Sequence, residues 1–107
     1  MEVFEAIAQP TRREILRLLA DRELSAGAVA SRFSVTQPAI SQHLKVLREA
    51  GLLEERREGT RRLYRVRREG LSDLHDFLAG FFQEGLERLK QEAEAEERTG
   101  ARHARRN

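Results

Sequence analysis

The stretch Ser34–Gly51, SVTQPAISQHLKVLREAG, constrains this chain more than any other. Ile40, Leu44 and Leu47 follow the i, i+4, i+7 spacing of one apolar helix face. Thr36 offers a hydroxyl to cap a helix starting at Gln37, and Pro38 falls in the first turn, where its missing N–H is no loss. Gly51 takes positive φ cheaply and so ends the helix. Gln42, Lys45 and Glu49 fall on the side opposite the apolar stripe, with Gln37, Ser41 and Arg48 on its flanks. Amide, hydroxyl and ammonium groups so arranged suit base edges and phosphates in a major groove. The plain alternative is the solvated face of an ordinary helix, and the flanking segments decide between the two.

Upstream, EVFEAIA (residues 2–8) predicts a short helix with Val3, Phe4 and Ile7 on one face. Gln9-Pro10 breaks it, and Pro10 opens a second helix, PTRREILRLLAD. Ile15, Leu18 and Leu19 point inward there, with Arg12, Arg13 and Arg17 mostly outward. Leu24-Ser25 reads as a turn, and Ser25 as the cap of a third helix, AGAVASRF, with Val29 and Phe33 inward. Ser34-Val35-Thr36 then leaves a three-residue turn between two helices, which is a helix-turn-helix. Past Gly51, LLEERR and RRLYRV flank Glu58-Gly59-Thr60, a hairpin signal. The fold class is therefore mainly α with a small β-hairpin, a winged helix-turn-helix. Residues 53–68 hold seven Arg against three Glu. Charge on an edge strand blocks unwanted pairing, but Arg61 and Arg62 beside the turn are better explained by phosphate or minor-groove contact.

From Gly70 the helical period returns with Leu71, Leu74, Leu78, Phe82, Leu86 and Leu89, and Phe77 and Phe81 alongside. A chain of 107 residues with only 6% aromatics has a small core and cannot cover so long a stripe. An apolar stripe left exposed marks an interface. Residues 1–97 are read as one domain and residues 98–107, RTGARHARRN, as a basic, disordered tail. Residues 1–70 hold 14 Lys+Arg against 10 Asp+Glu, residues 71–97 hold 2 against 8, and residues 98–107 hold 4 against none. A basic body beside an acidic helix suits a polyanion met by one part of the surface. The absence of Cys excludes disulfides and thiolate metal sites. No apolar run is long enough for a bilayer and no signal peptide is visible after Met1, so no membrane partner and a cytoplasmic location are expected. No catalytic residues or cofactor are expected, because no constellation for either appears. Ser25, Ser34, Ser41 and Ser72 read as caps and contacts.

VFEAIAQPTRREILRLL, TQPAISQHLKVLREAGLL and GTRRLYRV together resemble the ArsR-type winged-helix repressors of bacteria and archaea, over residues 3–90. The resemblance implies N- and C-terminal dimerisation helices, here around Phe4, Ile7, Leu74, Phe77, Leu78, Phe81, Phe82, Leu86 and Leu89. It also implies a homodimer on double-stranded DNA at a palindromic operator, with the helix from Gln37 in the major groove. Thr36, Gln37, Ser41, Gln42, His43 and Lys45 then meet DNA, and Arg61 and Arg62 of the wing lie over the backbone. His43, on the flank of the core face, is expected to pack and to bond a phosphate through its edge. Gln9 stands where the family commonly has an Asp cap.

Two metal-site patterns of the family are incomplete in this chain. A Cys pair follows a Glu-Leu in one, whereas Glu23-Leu24 is followed here by Ser25 and Gly27. The other needs Asp-x-His and a distant His-x-x-Glu or His-x-x-His. Asp73-Leu74-His75 supplies the first half, and Leu86 and Leu89 occupy the second. Half a site does not supply four ligands to zinc, so no metal is expected, His75 reads as a surface or interface histidine, and the metal-free, autorepressor-like members are the nearest match. The rival readings are a metal-responsive sensor and a winged-helix module that binds protein instead of DNA. No effector is identified by any residue pattern.

Overall fold

Every short helix begins on a cap that its sequence supplies. The computed structural model describes residues 2–104, with side chains described through residue 96. In α1 (Val3–Ile7) the Glu2 carboxylate accepts from Phe4 N at 2.9 Å. In α2 (Pro10–Leu18) the Gln9 side chain accepts from Arg12 N at 2.9 Å, so glutamine performs the capping here. Ser25 caps α3 (Ala26–Ala30) through Ala28 N, and Thr36 caps α4 (Gln37–Glu49) through Ala39 N. Pro10 and Pro38 occupy first turns, as their fixed φ favours. The far end of α4 closes with Leu52 N donating to Leu47 O and Gly51 N to Arg48 O, and Gly51 takes φ +80°. That is the paired-bond stop that a glycine makes possible.

The core gathers around α4. Ile40, Leu44 and Leu47 are fully buried together with Ile15 of α2, its C-cap Leu19, Val29 of α3, and Leu52 and Leu53 beyond the glycine. Within helices α1 to α4 two buried residues lie outside the predicted stripes, Val46 and Ala6. In α1 the buried residue is Ala6, whereas Phe4 remains 41% exposed and Val3 and Ile7 pack half-buried against the core. Ile7, expected at a dimer interface, is thus partly spent on the core of its own chain.

The hairpin is part of a larger sheet. β1 (Leu24–Ser25), β2 (Leu53–Glu58) and β3 (Arg61–Val66) form an antiparallel sheet of order β1-β3-β2. Leu24 and Ser25, read from sequence as a turn, pair with Tyr64 and Leu63. Two residues carry no periodicity, so only the partner strand defines them. Gly59 at φ +64° and Thr60 make a two-residue connection in which only the first central residue is left-handed, as in a II′ turn. α2 ends earlier than its apolar pattern suggests, and Leu19 O accepts from Val66 N of β3 at 3.1 Å.

α5 (Arg68–Ala104) is the longest element. The chain divides into two compact units, Met1–Leu74 and His75–Asn107. In the first unit Leu71 packs on the winged-helix core. In the second, Phe81 is 60%, Phe82 69%, Leu86 60% and Leu89 62% exposed. The helix continues through Ala104, where a disordered tail was expected from residue 98. RTGARHA contains no proline, and its Arg and Ala are good helix formers. Residues 105–107 of that expected tail lie outside the described residues. No helix among the described residues is long and apolar enough to cross a membrane.

The start of α5 fits because residue 70 has no side chain. A Cβ on Gly70 would stand 2.1 Å from the Gly51 carbonyl oxygen, whereas one on Gly80 meets nothing within 4 Å. Gly70→Ala is expected to destabilise the protein by about 1–3 kcal/mol, the usual range for overpacking. Gly80→Ala is expected to stabilise it by up to about 1 kcal/mol, through helix propensity. Urea midpoints check both, and a Gly70→Ala midpoint equal to wild type would refute the contact.

Candidate nucleic-acid interface

Burial of one side of α4 decides what the other side offers. Gln37, Ser41, Gln42 and Lys45 are exposed, while Ile40, Leu44 and Leu47 are not. Gln42 and Lys45 project away from the core. Gln37 leans towards α3, where a methyl at Gly27 would stand 3.8 Å from its Oε1. Thr36 Oγ1 accepts the capping bond and keeps its own hydrogen to donate.

His43 is half-buried and held by a residue that the sequence pattern directs outward. Arg12 donates through Nε to Ala6 O at 2.6 Å and through Nη2 to Glu5 O at 3.2 Å. Its Nη1 stands 3.4 Å from His43 Nδ1. A guanidinium only donates, so Nδ1 is the acceptor and the neutral ring carries its hydrogen on Nε2. Burial, and then the charge of Arg12, hold the His43 pKa below its ordinary 6.5. The ring therefore presents a neutral N–H donor at neutral pH. Arg13 donates to Ile7 O and Ala8 O, so two arginines of α2 bond the carbonyls at the end of α1.

The wing sorts its arginines by partner. Arg56 grips both oxygens of Glu23 at 2.7 and 2.9 Å and also reaches Glu58 at 3.1 Å. The Arg56 hydrogen bond holds the Glu23 carboxyl below its usual range. Arg65 pairs with Glu54 at 2.6 Å, and Arg67 donates to Gly51 O. Arg48 of α4 reaches across to Glu55 of β2 at 2.8 Å. Burial, and then the neighbouring Glu55, push the Tyr64 hydroxyl pKa up. Among the described residues no carboxylate pairs with Arg57, Arg61 or Arg62.

Register separates these three. Directly opposed residues share a face, and faces alternate along each strand. Leu53↔Val66, Glu55↔Tyr64 and Arg57↔Arg62 lie on one face; Glu54↔Arg65, Arg56↔Leu63 and Glu58↔Arg61 lie on the other. Leu53, Val66 and Tyr64 pack with the helical core, and Glu55 meets Arg48, so the first face is the α4 side. Arg61 and Arg62, expected to act together, point to opposite faces. The residue that shares the face of Arg62 is Arg57, which sequence reasoning missed. The signal was available, since a two-residue turn at Gly59-Thr60 sets 58 against 61 and hence 57 against 62.

Most of the other expected site residues belong to α5. Leu74 is half-buried, and Phe77, Leu78, Phe81, Phe82, Leu86 and Leu89 are exposed along α5, with the Phe77 and Phe81 rings 5.0 Å apart edge to face. His75 is exposed, 3.5 Å from Asp76. Among the described residues no three His, Cys, Asp or Glu are grouped to hold a metal. Ser25, where a metal-site pattern has Cys, is occupied as the α3 cap.

A helix-turn-helix domain family matches residues 7–56. Over 83 residues the chain is 36% identical to the transcriptional repressor SdpR of Bacillus subtilis (strain 168), covering 78% of this chain and 92% of that protein. A crystal structure described as a possible transcriptional regulator for arsenical resistance superposes with TM-score 0.72 at 38% identity, over 86% of this chain and 96% of the other. The solution structure of a homodimeric winged helix-turn-helix DNA-binding domain from Mycobacterium bovis, a possible ArsR-family regulator, superposes with TM-score 0.61 at 35% identity, over 75% of this chain and 74% of the other.

The lowered His43 pKa predicts a pH dependence of definite sign. The unfolded ring takes its proton near the ordinary 6.5, before the folded ring does. Stability present above 6.5 is therefore lost as pH falls below it towards the folded pKa. In a urea series between about pH 8 and pH 5, wild type is expected to lose stability more steeply through this window than His43→Gln. Parallel curves for the two proteins would contradict the assignment.

Proposed function

The chain belongs to the ArsR-type family of winged helix-turn-helix transcriptional regulators, and on that premise we propose that it is a repressor binding a palindromic operator as a homodimer. The observation that carries this reading is the exposed polar edge of α4, rigidly backed by a fully buried apolar face. Each α4 enters a major groove, where Gln42 and Lys45 meet base edges with Gln37 and Ser41 beside them. Thr36, His43 Nε2–H and the wing residue Arg62 donate to backbone phosphates, whereas Arg61, expected to join them, faces the other side of the hairpin. Repression needs no chemistry, because a dimer seated on a promoter excludes polymerase. Two protomers related by a two-fold axis place their half-sites about one helical turn apart.

The partner that covers α5 is a second copy of the chain. Phe81, Phe82, Leu86 and Leu89 support this, each about two-thirds exposed on one helix, and Phe4 adds an exposed ring from α1. The M. bovis domain that superposes on this chain is itself homodimeric.

Gln42 and Arg62 are expected to leave different signatures. A bidentate base contact carries about 1–3 kcal/mol of discrimination, so Gln42→Ala relaxes preference at one position in each half-site. A phosphate contact carries no sequence information. Arg62→Ala therefore weakens operator and scrambled DNA alike and lowers the salt slope by about one unit per protomer. Affinities for both DNAs across a salt series test this. Intact specificity in Gln42→Ala with a base-specific loss in Arg62→Ala would make the wing the reader.

Phe82→Ala is expected to weaken dimerisation and operator binding together, given that deleting a buried Phe costs about 3–5 kcal/mol. Sedimentation equilibrium provides the measurement, and a wild-type monomer at micromolar concentration would end the dimer reading.

A further inference from the structure

We propose that Arg57, which has no role in the reading above, forms with Arg62 a two-guanidinium clamp for a single phosphate of the DNA backbone. This rests on the proposed docking of the chain on duplex DNA. Arg57 and Arg62 are exposed and stand directly opposite one another on β2 and β3. Like charges so opposed destabilise a sheet, and folding alone would favour a neutral or opposite-charge pair. Protection of the edge strand does not require Arg57, because Glu54, Glu55, Arg56 and Glu58 already charge β2.

Among the described residues no ion pair quenches the repulsion. Glu55 is taken by Arg48, Glu58 and Glu23 by Arg56, and Glu54 by Arg65. Two cations held side by side without a counter-charge suit an anion with two acceptor oxygens. A phosphodiester offers two non-bridging oxygens with several lone pairs between them, enough to accept from both guanidinium groups. The pair also lies on the face of the hairpin that turns towards α4. With α4 in the groove, the backbone flanking that groove comes within reach of the clamp. Arg56 and Arg65, on the opposite face, are neutralised and take no part.

The clamp has a signature of opposite signs. In free protein the pair costs stability, and on DNA the phosphate removes that cost. Arg57→Gln should therefore leave the thermal midpoint of free protein unchanged or raised, while DNA affinity falls. One shared phosphate also makes the two arginines non-additive.

The test compares full-length wild type, Arg57→Gln, Arg62→Gln and the double variant. Duplex selected from genomic fragments and a scrambled duplex are titrated over a salt series, with thermal midpoints taken without DNA. Each single variant is expected to lose about fivefold per protomer at about 0.15 M salt on both duplexes, from a slope change near 0.9. The double variant is expected to lose about the same slope as either single one. The clamp is overturned if Arg57→Gln binds both duplexes as wild type does, or if its free midpoint falls. It is overturned equally if the double variant loses twice the slope, which means separate phosphates, or if the loss is confined to A·T-rich flanks, which means minor-groove reading. Wild type failing to bind either duplex would instead remove the DNA-binding reading itself.

Discussion

Ile40, Leu44 and Leu47 are withdrawn from water into one core with Ile15, Leu19 and Val29. Each such burial contributes about 1.5–3 kcal/mol. A helix has a fixed angular step of 3.6 residues per turn, so placing one face leaves no freedom for the other. Gln42 and Lys45 point outward because Leu44 and Leu47 point inward. The same burial reaches past the helix end. Gly51 reverses the chain at φ +80°, Leu52 and Leu53 enter the same core, and β2 leaves from there. The exposed edge of α4 and the wing are therefore placed by one packing event, and the Arg48–Glu55 ion pair joins them a second time.

Charge is distributed on that scaffold by pairing as well as by number. The wing carries its arginines in two states. Arg56 braces the sheet against Glu23 before β1 and Arg65 ties β3 to Glu54 of β2, whereas among the described residues no carboxylate pairs with Arg57, Arg61 or Arg62. Arg12 does a third kind of work. It binds the last carbonyls of α1 and the ring of His43, so the short first helix and the second turn of α4 share one guanidinium.

Local rules made α4 legible from sequence, including its Thr36 cap, its proline in the first turn and its glycine stop. Each needs only neighbours a few residues away. The helix-turn-helix, the hairpin turn and the apolar stripe of α5 were legible for the same reason. β1 was not, because Leu24 and Ser25 become a strand only through Tyr64 and Leu63, some forty residues later. Ala6 was missed because a small residue signals little by itself, yet it is the fully buried residue of α1. The seven basic residues of the wing looked equivalent because sequence gives no ion-pair partners; Glu23, which claims Arg56, lies 33 positions away. The pairing of Arg57 with Arg62 was within reach, since the length of the turn alone sets that register.

The central claim is that DNA meets the exposed edge of α4 together with the α4-side face of the wing. Nitrogen-15 NMR of the arginine Nε–H groups and of the backbone amides, with and without operator DNA, addresses it most directly. The account predicts large shifts at Gln42, Lys45 and the Nε of Arg57 and Arg62, while the Nε signals of Arg56 and Arg65 stay where their carboxylates hold them. Shifts at Arg56 and Arg65 with Arg57 and the α4 edge unmoved would contradict it, because DNA would then lie on the opposite face of the wing.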